Sequence, residues 1–177
     1  MSETDLSERV RSKIRDFPDF PKPGIVFKDI TPIFSHHDTL KAVTEALSAR
    51  YAAQNIDAVV GIESRGFLVG APVAFHMGAG LVLVRKQGKL PGPVVRKTYD
   101  LEYGQDTLEI QEDALRPGMR VVVMDDLLAT GGTMGATLEL IRDQGVEVVE
   151  AAFLVELSFL NGREKLGDVD CHAIVVF

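Results

Sequence analysis

The run VVVMDDLLATGGT, residues 121–133, sets four apolar residues, two acids and a small-residue loop in a fixed order. Such an order reads as a buried strand, a loop at its carboxyl end and the start of a helix. Ligands of open α/β sheets bind outside the carboxyl ends of the strands. The backbone N–H groups of Ala129, Thr130, Gly131, Gly132 and Thr133 can therefore converge on an anion at a helix N-terminus. Hydroxyls of Thr130 and Thr133 add donors, and glycine leaves the backbone open to a phosphate that a side chain would hold away. Asp125 and Asp126 stand where they can accept hydrogen bonds from sugar hydroxyls. A looser pattern would read only as an Asp-Asp loop start followed by a Gly-Gly turn. Two other phosphate-binding patterns, GxxxxGK[ST] and a post-strand GxGxxG, are missing.

Further charged residues fall at comparable places. ESRG (63–66) follows the apolar DAVVGI (57–62), and Arg85 and Lys86 end LVLVRK (81–86). Taken alone, Arg65 is a helix-start arginine on a solvated face, and the Arg85–Lys86 pair is solvent-facing punctuation. His36, His37 and Asp38 invite a metal reading, but adjacent residues of a regular element rarely chelate one ion, and no ligand role is assigned to them. His76 and His172 read as packing or surface residues. Cys171 is the only cysteine, which excludes a disulfide framework and a four-cysteine zinc site.

These residues need elements to position them. Leu6, Val10 and Ile14 recur every four residues and predict a first helix over about Leu6–Arg15, ended by the prolines of FPDFPKPG. Asp38 is expected to N-cap a helix through Leu40, Val43, Leu47 and Tyr51. Apolar runs at 57–62, 81–86, 120–126, 146–157 and 173–177 then alternate with helices predicted at Gly66–Met77 and Gly132–Asp143. Continuous Val/Ile/Leu strands between helices are buried on both sides. The fold class is therefore α/β, an open, mostly parallel twisted sheet with helices on both faces. Residues 87–111 break the alternation with Gly88, Pro91, Gly92, Pro93 and Gly104, then TLEI; this reads as a long loop plus an antiparallel hairpin with a functional role.

At 177 residues and 46% hydrophobic content, the chain fits one domain with a substantial core. No apolar run approaches the roughly 20 residues of a membrane span, and the polar start MSETDLSERV does not read as a signal peptide, so a cytoplasmic protein is expected. A net charge of -7 argues against nucleic acid as the main partner, yet leaves room for a small anion held by local geometry.

The 121–133 motif resembles the 5-phosphoribosyl-1-pyrophosphate (PRPP) site of the type I phosphoribosyltransferase family. FPDFPKPGIVFKDITP (17–32), ESRGFLVG (63–70), VRKQGKLPG (84–92), YDLEYG (99–104) and LVELSFLNGREKL (154–166) resemble the adenine branch of that family. The resemblance implies purine salvage: transfer of the 5-phosphoribosyl group from PRPP to N9 of adenine, giving AMP and pyrophosphate. It implies a homodimer, an N-terminal hood over 1–34, a flexible catalytic loop over 87–111, and Mg²⁺ carried by PRPP and pyrophosphate rather than by protein ligands. The 5′-phosphate would rest on 129–133 and the ribose hydroxyls on Asp125 and Asp126. Pyrophosphate would meet Ser64, Arg65, Lys86 and Arg85, with Lys86 the better match to the family pattern and a non-proline cis peptide at Glu63–Ser64. Backbone groups near Val26 and Lys28 would read the adenine edge, with Leu127 on the purine face and Phe27 either a second wall or a core residue. Glu102 would handle a purine proton, beside Tyr103 in the loop hood; read by itself, Glu102 is equally an exposed hairpin acid. The alternatives are a phosphoribosyltransferase for another nucleobase and a PRPP- or purine-sensing regulatory protein, the latter needing a basic face.

Overall fold

A computed structural model of the chain describes residues 2–101 and 104–177. Helix α1 (Glu3–Arg11) leads to a two-stranded antiparallel hairpin, β1 (Arg15–Pro18) and β2 (Val26–Asp29), then to the short α2 (Thr31–Ser35) and to α3 (His37–Tyr51). The alternating part follows as β3 (Ala58–Ile62), α4 (Arg65–Met77) and β4 (Gly80–Lys86). A hairpin of β5 (Val94–Leu101) and β6 (Gly104–Gln111) interrupts it. The chain then runs through β7 (Arg120–Leu128), α5 (Gly132–Arg142), β8 (Glu147–Glu156) and β9 (Cys171–Val176). Two 3-10 turns, Ser158–Leu160 and Gly162–Lys165, lie between β8 and β9.

The main sheet has the order β5-β6-β4-β3-β7-β8-β9. Strands β4, β3, β7, β8 and β9 are mutually parallel, while β6 runs antiparallel to both β4 and β5. This is the expected α/β architecture, and the expected insert is a hairpin that widens the sheet at one edge.

Strand periodicity divides the core in two. On β7, Val122 and Met124 join the cluster with α1, α3 and α4, whereas Val121 and Val123 join the cluster with α5. Val59 against Val60, and Leu154 against Phe153, divide in the same way. Successive strand side chains point to opposite faces, so helices on both faces are a direct consequence of unbroken apolar strands.

Several boundaries differ from expectation. Helix α1 begins earlier because Ser2 caps it, its hydroxyl accepting from the Asp5 N–H while the Asp5 carboxylate accepts from the Ser2 N–H. The helix ends at Arg11, and Ile14 packs on the core from the following turn, so the spacing of four outlasts the helix that it seemed to describe. Helix α3 is capped by His36 and not by Asp38, which stands in its first turn. The β1–β2 hairpin and α2 were not foreseen, since four- and five-residue elements are too short to show a period.

Candidate active site

Three parallel strands deliver the charged residues to one edge of the sheet. Strand β3 ends at ESRG, β4 ends at Arg85 and Lys86, and β7 carries Asp125 and Asp126 before running into the loop 129–131. Two adjoining cavities open there. The larger, of about 950 Å³, is lined by the whole stretch Leu127–Met134, with Asp125 on one side and Asn161, Glu164 and Lys165 on another. The smaller, of about 570 Å³, is lined by Ser64, Arg65, Lys86, Tyr99, Asp106, Asp125, Asp126, Leu127 and Thr133 among others. Asp125, Leu127 and Thr133 line both, so the cavities form one continuous site.

The phosphate-type loop has the shape that its sequence implies. Gly131 is the N-cap of α5 at φ 79°, and it offers no side-chain cap to the N–H groups of the first turn. Those donors and the partial positive end of an eleven-residue helix are therefore available to an anion. Gly131 is required by packing as well as by ligand approach. A Cβ there would fall 2.2 Å from the Gly162 carbonyl oxygen, whereas one on Gly132 would meet only the Tyr99 ring at 3.8 Å.

The two acids differ in surroundings. Asp126 is buried, and Arg65 Nε stands 2.8 Å from its Oδ2. The two acids and Arg65 thus form the wall between the strand ends and the cavity, where a carboxylate can meet a hydroxyl-bearing ligand. Asp125 accepts from the Asp126 N–H at 2.8 Å. Burial, and then the neighbouring Asp126 charge, raises the Asp125 carboxyl well above its ordinary range. Gly66 lets α4 approach this close: a Cβ there would meet the Met124 carbonyl oxygen at 2.7 Å and Asp125 Oδ1 at 3.0 Å.

The cations are arranged by strand alternation. Lys86 pairs with Asp106 of β6 at 2.9 Å, which raises its ammonium pKa. Arg85, one residue earlier, is not among the residues lining either cavity. Its Nε donates to Glu63 at 3.3 Å and a terminal nitrogen donates to the Lys89 carbonyl at 3.2 Å. Glu63 also accepts from the Lys86 N–H at 3.0 Å and from the Lys89 ammonium. Burial alone would raise its carboxyl, but these donors outweigh burial and lower it. Glu63 thus braces the ends of β3 and β4, and the Glu63–Ser64 peptide is cis as expected.

The residues expected to read the base lie apart from this cluster. Val26, Phe27 and Lys28 line neither cavity; Lys28 bonds Asp16 at 2.8 Å and covers the Phe177 ring, while Phe27 meets Phe20 edge-on at 5.2 Å. Because Phe177 follows β9, the β1–β2 hairpin sits at the same carboxyl edge of the sheet as the site. Glu102 and Tyr103 lie outside the described residues. Residues missed from sequence are Tyr99, whose hydroxyl bonds that of Thr133 at 3.1 Å, Asp106, and the Asn161–Lys165 wall. The run LNGREKL was a visible signal for that wall, but its role depends on a contact 30 residues away in sequence. Among the described residues no group of three or more His, Cys, Asp or Glu is placed to hold a metal ion. No helix of the described residues is long and apolar enough to cross a membrane.

Comparison with known proteins agrees with this geometry. Residues 29–177 match the model of the phosphoribosyl transferase domain. The adenine phosphoribosyltransferase of Rhodospirillum centenum is 55% identical over 168 residues, covering 95% of this chain and 98% of that protein. The crystal structure of the Rhodothermus marinus adenine phosphoribosyltransferase superposes with a TM-score of 0.92 at 48% identity, covering 98% of this chain and 99% of that one. The Saccharomyces cerevisiae enzyme, crystallised with an imino-altritol bisphosphate and adenine, gives 0.92 at 38% identity over 97% and 99% of the two chains. A strand-end diacid, a glycine-opened helix start and near-complete likeness to these enzymes place the chain in one group: it belongs to the phosphoribosyltransferase family, in its adenine phosphoribosyltransferase branch.

Proposed function

We propose that the site transfers the 5-phosphoribosyl group of PRPP to N9 of adenine in purine salvage, releasing AMP and pyrophosphate. The observation that carries this is the placing of an uncapped helix start, two adjacent acids and two cations around one continuous cavity. The backbone of 129–133, with the Thr130 and Thr133 hydroxyls, takes the 5′-phosphate. Asp125 and Asp126 take the ribose hydroxyls, Asp126 being held beside the cavity by its ion pair with Arg65. Ser64, Arg65 and Lys86 face the pyrophosphate, and Arg85 acts through Glu63 rather than by contact. Leu127 covers the purine, and the segment of Val26, Phe27 and Lys28, within a hood over 1–34, reads its edge.

In the reaction the bond from the anomeric carbon to the pyrophosphate oxygen breaks, its electron pair leaving with pyrophosphate. The N9–carbon bond forms through an oxocarbenium-like state, and adenine gives up a proton that Glu102, in the catalytic loop over 87–111, relays. Arg65 and Lys86 stabilise charge as it grows on the leaving group. Mg²⁺ bound to PRPP would supply charge neutralisation on the leaving pyrophosphate, beside the cations Arg65 and Lys86 and the carboxylates Asp125 and Asp126. The working form is a cytoplasmic homodimer. Its interface is the exposed apolar face of Leu68 and Phe75 on α4 with Leu81 and Leu83 on β4.

The test is an assay of adenine, hypoxanthine, guanine and uracil against fixed PRPP and Mg²⁺. Turnover of adenine alone is expected, because a 6-oxo group accepts where an adenine amino group donates and leaves buried groups unpaired. Preference for a 6-oxo purine or uracil would overturn the adenine assignment. Glu102→Ala should lower kcat by about 10²-fold or more while PRPP affinity holds; unchanged turnover would remove Glu102 from the proton path.

A further inference from the structure

The loop 129–131 is in close contact with another part of the chain. It lies directly on the backbone of the turn Gly162–Lys165, with glycine at each contact. A Cβ on Gly162 would fall 2.3 Å from the Ala129 carbonyl oxygen, and one on Gly135, in the first turn of α5, 2.8 Å from that of Lys165. Together with the Gly131 contact already described, these approaches leave no side chain between turn and loop. A shift of the turn is therefore a shift of the loop.

Buried Leu166 anchors the end of the turn in the core, and one polar side chain ties its middle to the sheet. Arg163 places Nε 2.8 Å from Glu156 Oε1 and a terminal nitrogen 2.6 Å from Oε2, a two-pronged pair, and its other terminal nitrogen donates to the Cys171 carbonyl at 3.2 Å. Glu156 is the last residue of β8 and is 4% exposed, so the sheet holds its carboxylate rigidly. Arg163 itself is not among the residues lining the cavity, whereas its neighbours Asn161, Glu164 and Lys165 are.

We infer that the Glu156–Arg163 pair is a positioning device for the phosphate loop, setting affinity for the 5′-phosphate without touching it. This rests on the assignment of 129–133 as the 5′-phosphate site. The planar fork meets both carboxylate oxygens at once, which a lysine ammonium cannot do. Misplacing a binding group by about 1 Å can cost on the order of 10²-fold.

Steady-state kinetics with each substrate varied in turn, on Arg163→Lys, Arg163→Met and Glu156→Gln, tests the inference. The expected result is a KM for PRPP raised about tenfold or more in Arg163→Met, with less effect in Arg163→Lys and Glu156→Gln. KM for adenine, and kcat at saturating PRPP, should move less than about threefold. A purely scaffolding role would instead lower kcat per enzyme with unchanged KM, by loss of folded molecules, and that result overturns the inference. Should Arg163→Met fail to fold, Glu156→Gln, which keeps the shape of its parent, decides the matter: a KM for PRPP raised about threefold or more with kcat retained supports the inference, and an unchanged KM overturns it. Thr130→Val separates the two readings. If it leaves KM for PRPP unchanged, the phosphate-site assignment is wrong; if it raises KM while the Glu156 and Arg163 variants do not, only the positioning role is wrong.

Discussion

Gly131 and Gly132 are adjacent and chemically identical, yet they answer to different constraints. Gly131 combines a left-handed backbone with a carbonyl oxygen 2.2 Å from where a Cβ would sit. Gly131→Ala should cost about 1–3 kcal/mol for the backbone conformation alone, with more for the overlap, and should lower Tm. Gly132→Ala has room and a helical backbone, so it should keep or slightly raise Tm while weakening PRPP binding by crowding the donors. Calorimetric melting with PRPP titration separates the two; equal Tm losses would refute the distinction. At this scale the sequence was legible wherever the reason for a residue was local: ATGGT announced an open helix start. Arg85 and Lys86 are adjacent in sequence but differ in surroundings, because successive strand residues point to opposite faces: Lys86 lines the cavity, and Arg85 bonds Glu63 in its wall. Gly66 and Gly162 carried no readable sign, since what they make room for is a carbonyl from another part of the chain.

Elements with a long period were read from sequence, and short ones were not. The five parallel strands follow from unbroken apolar runs, whereas β1 and β2 have only four residues each and largely exposed side chains. Polar contacts join the Phe20–Phe27 pair in holding that small hairpin and tying it to α2. Asp29 accepts from both the hydroxyl and the N–H of Thr31, at 2.6 and 3.0 Å, and pairs with Arg15. These bonds, those of Thr31 foremost, lower its carboxyl from 3.8 to about 2. A depressed carboxyl adds stability that is complete above its unfolded pKa and fades as pH falls through the folded one. The Asp29 contribution should therefore be lost between about pH 4 and pH 2. Asp29→Asn should lower Tm at neutral pH and flatten the wild-type loss of Tm across that window. An unchanged acid slope would show that the hairpin does not depend on this carboxylate.

For the whole molecule, a net charge of -7 and a site built for anions coexist because the binding devices are local: a helix start, Arg65 and Lys86. Surface apolarity is local too. Phe75 is 89% exposed and lies two helical turns from Leu68. If the proposed dimer forms through this face, light scattering should give a dimer for the wild type and a monomer for Phe75→Glu; a variant that stays dimeric would move the interface elsewhere. One contact of the hairpin reaches further than its geometry. Lys86 already holds the Asp106 carboxylate, so under the proposed assignment an arriving pyrophosphate would share one ammonium with a fixed negative charge. Hairpin and substrate would then be reciprocal antagonists: whatever factor Asp106 subtracts from pyrophosphate affinity, bound pyrophosphate would subtract from the hold of Lys86 on β6. Asp106→Asn should accordingly lower KM for PRPP several-fold, and a KM that rises would mean that the carboxylate orients Lys86 instead of competing for it. On the first outcome the insert would sense occupancy of the site through the same atom that recognises its ligand.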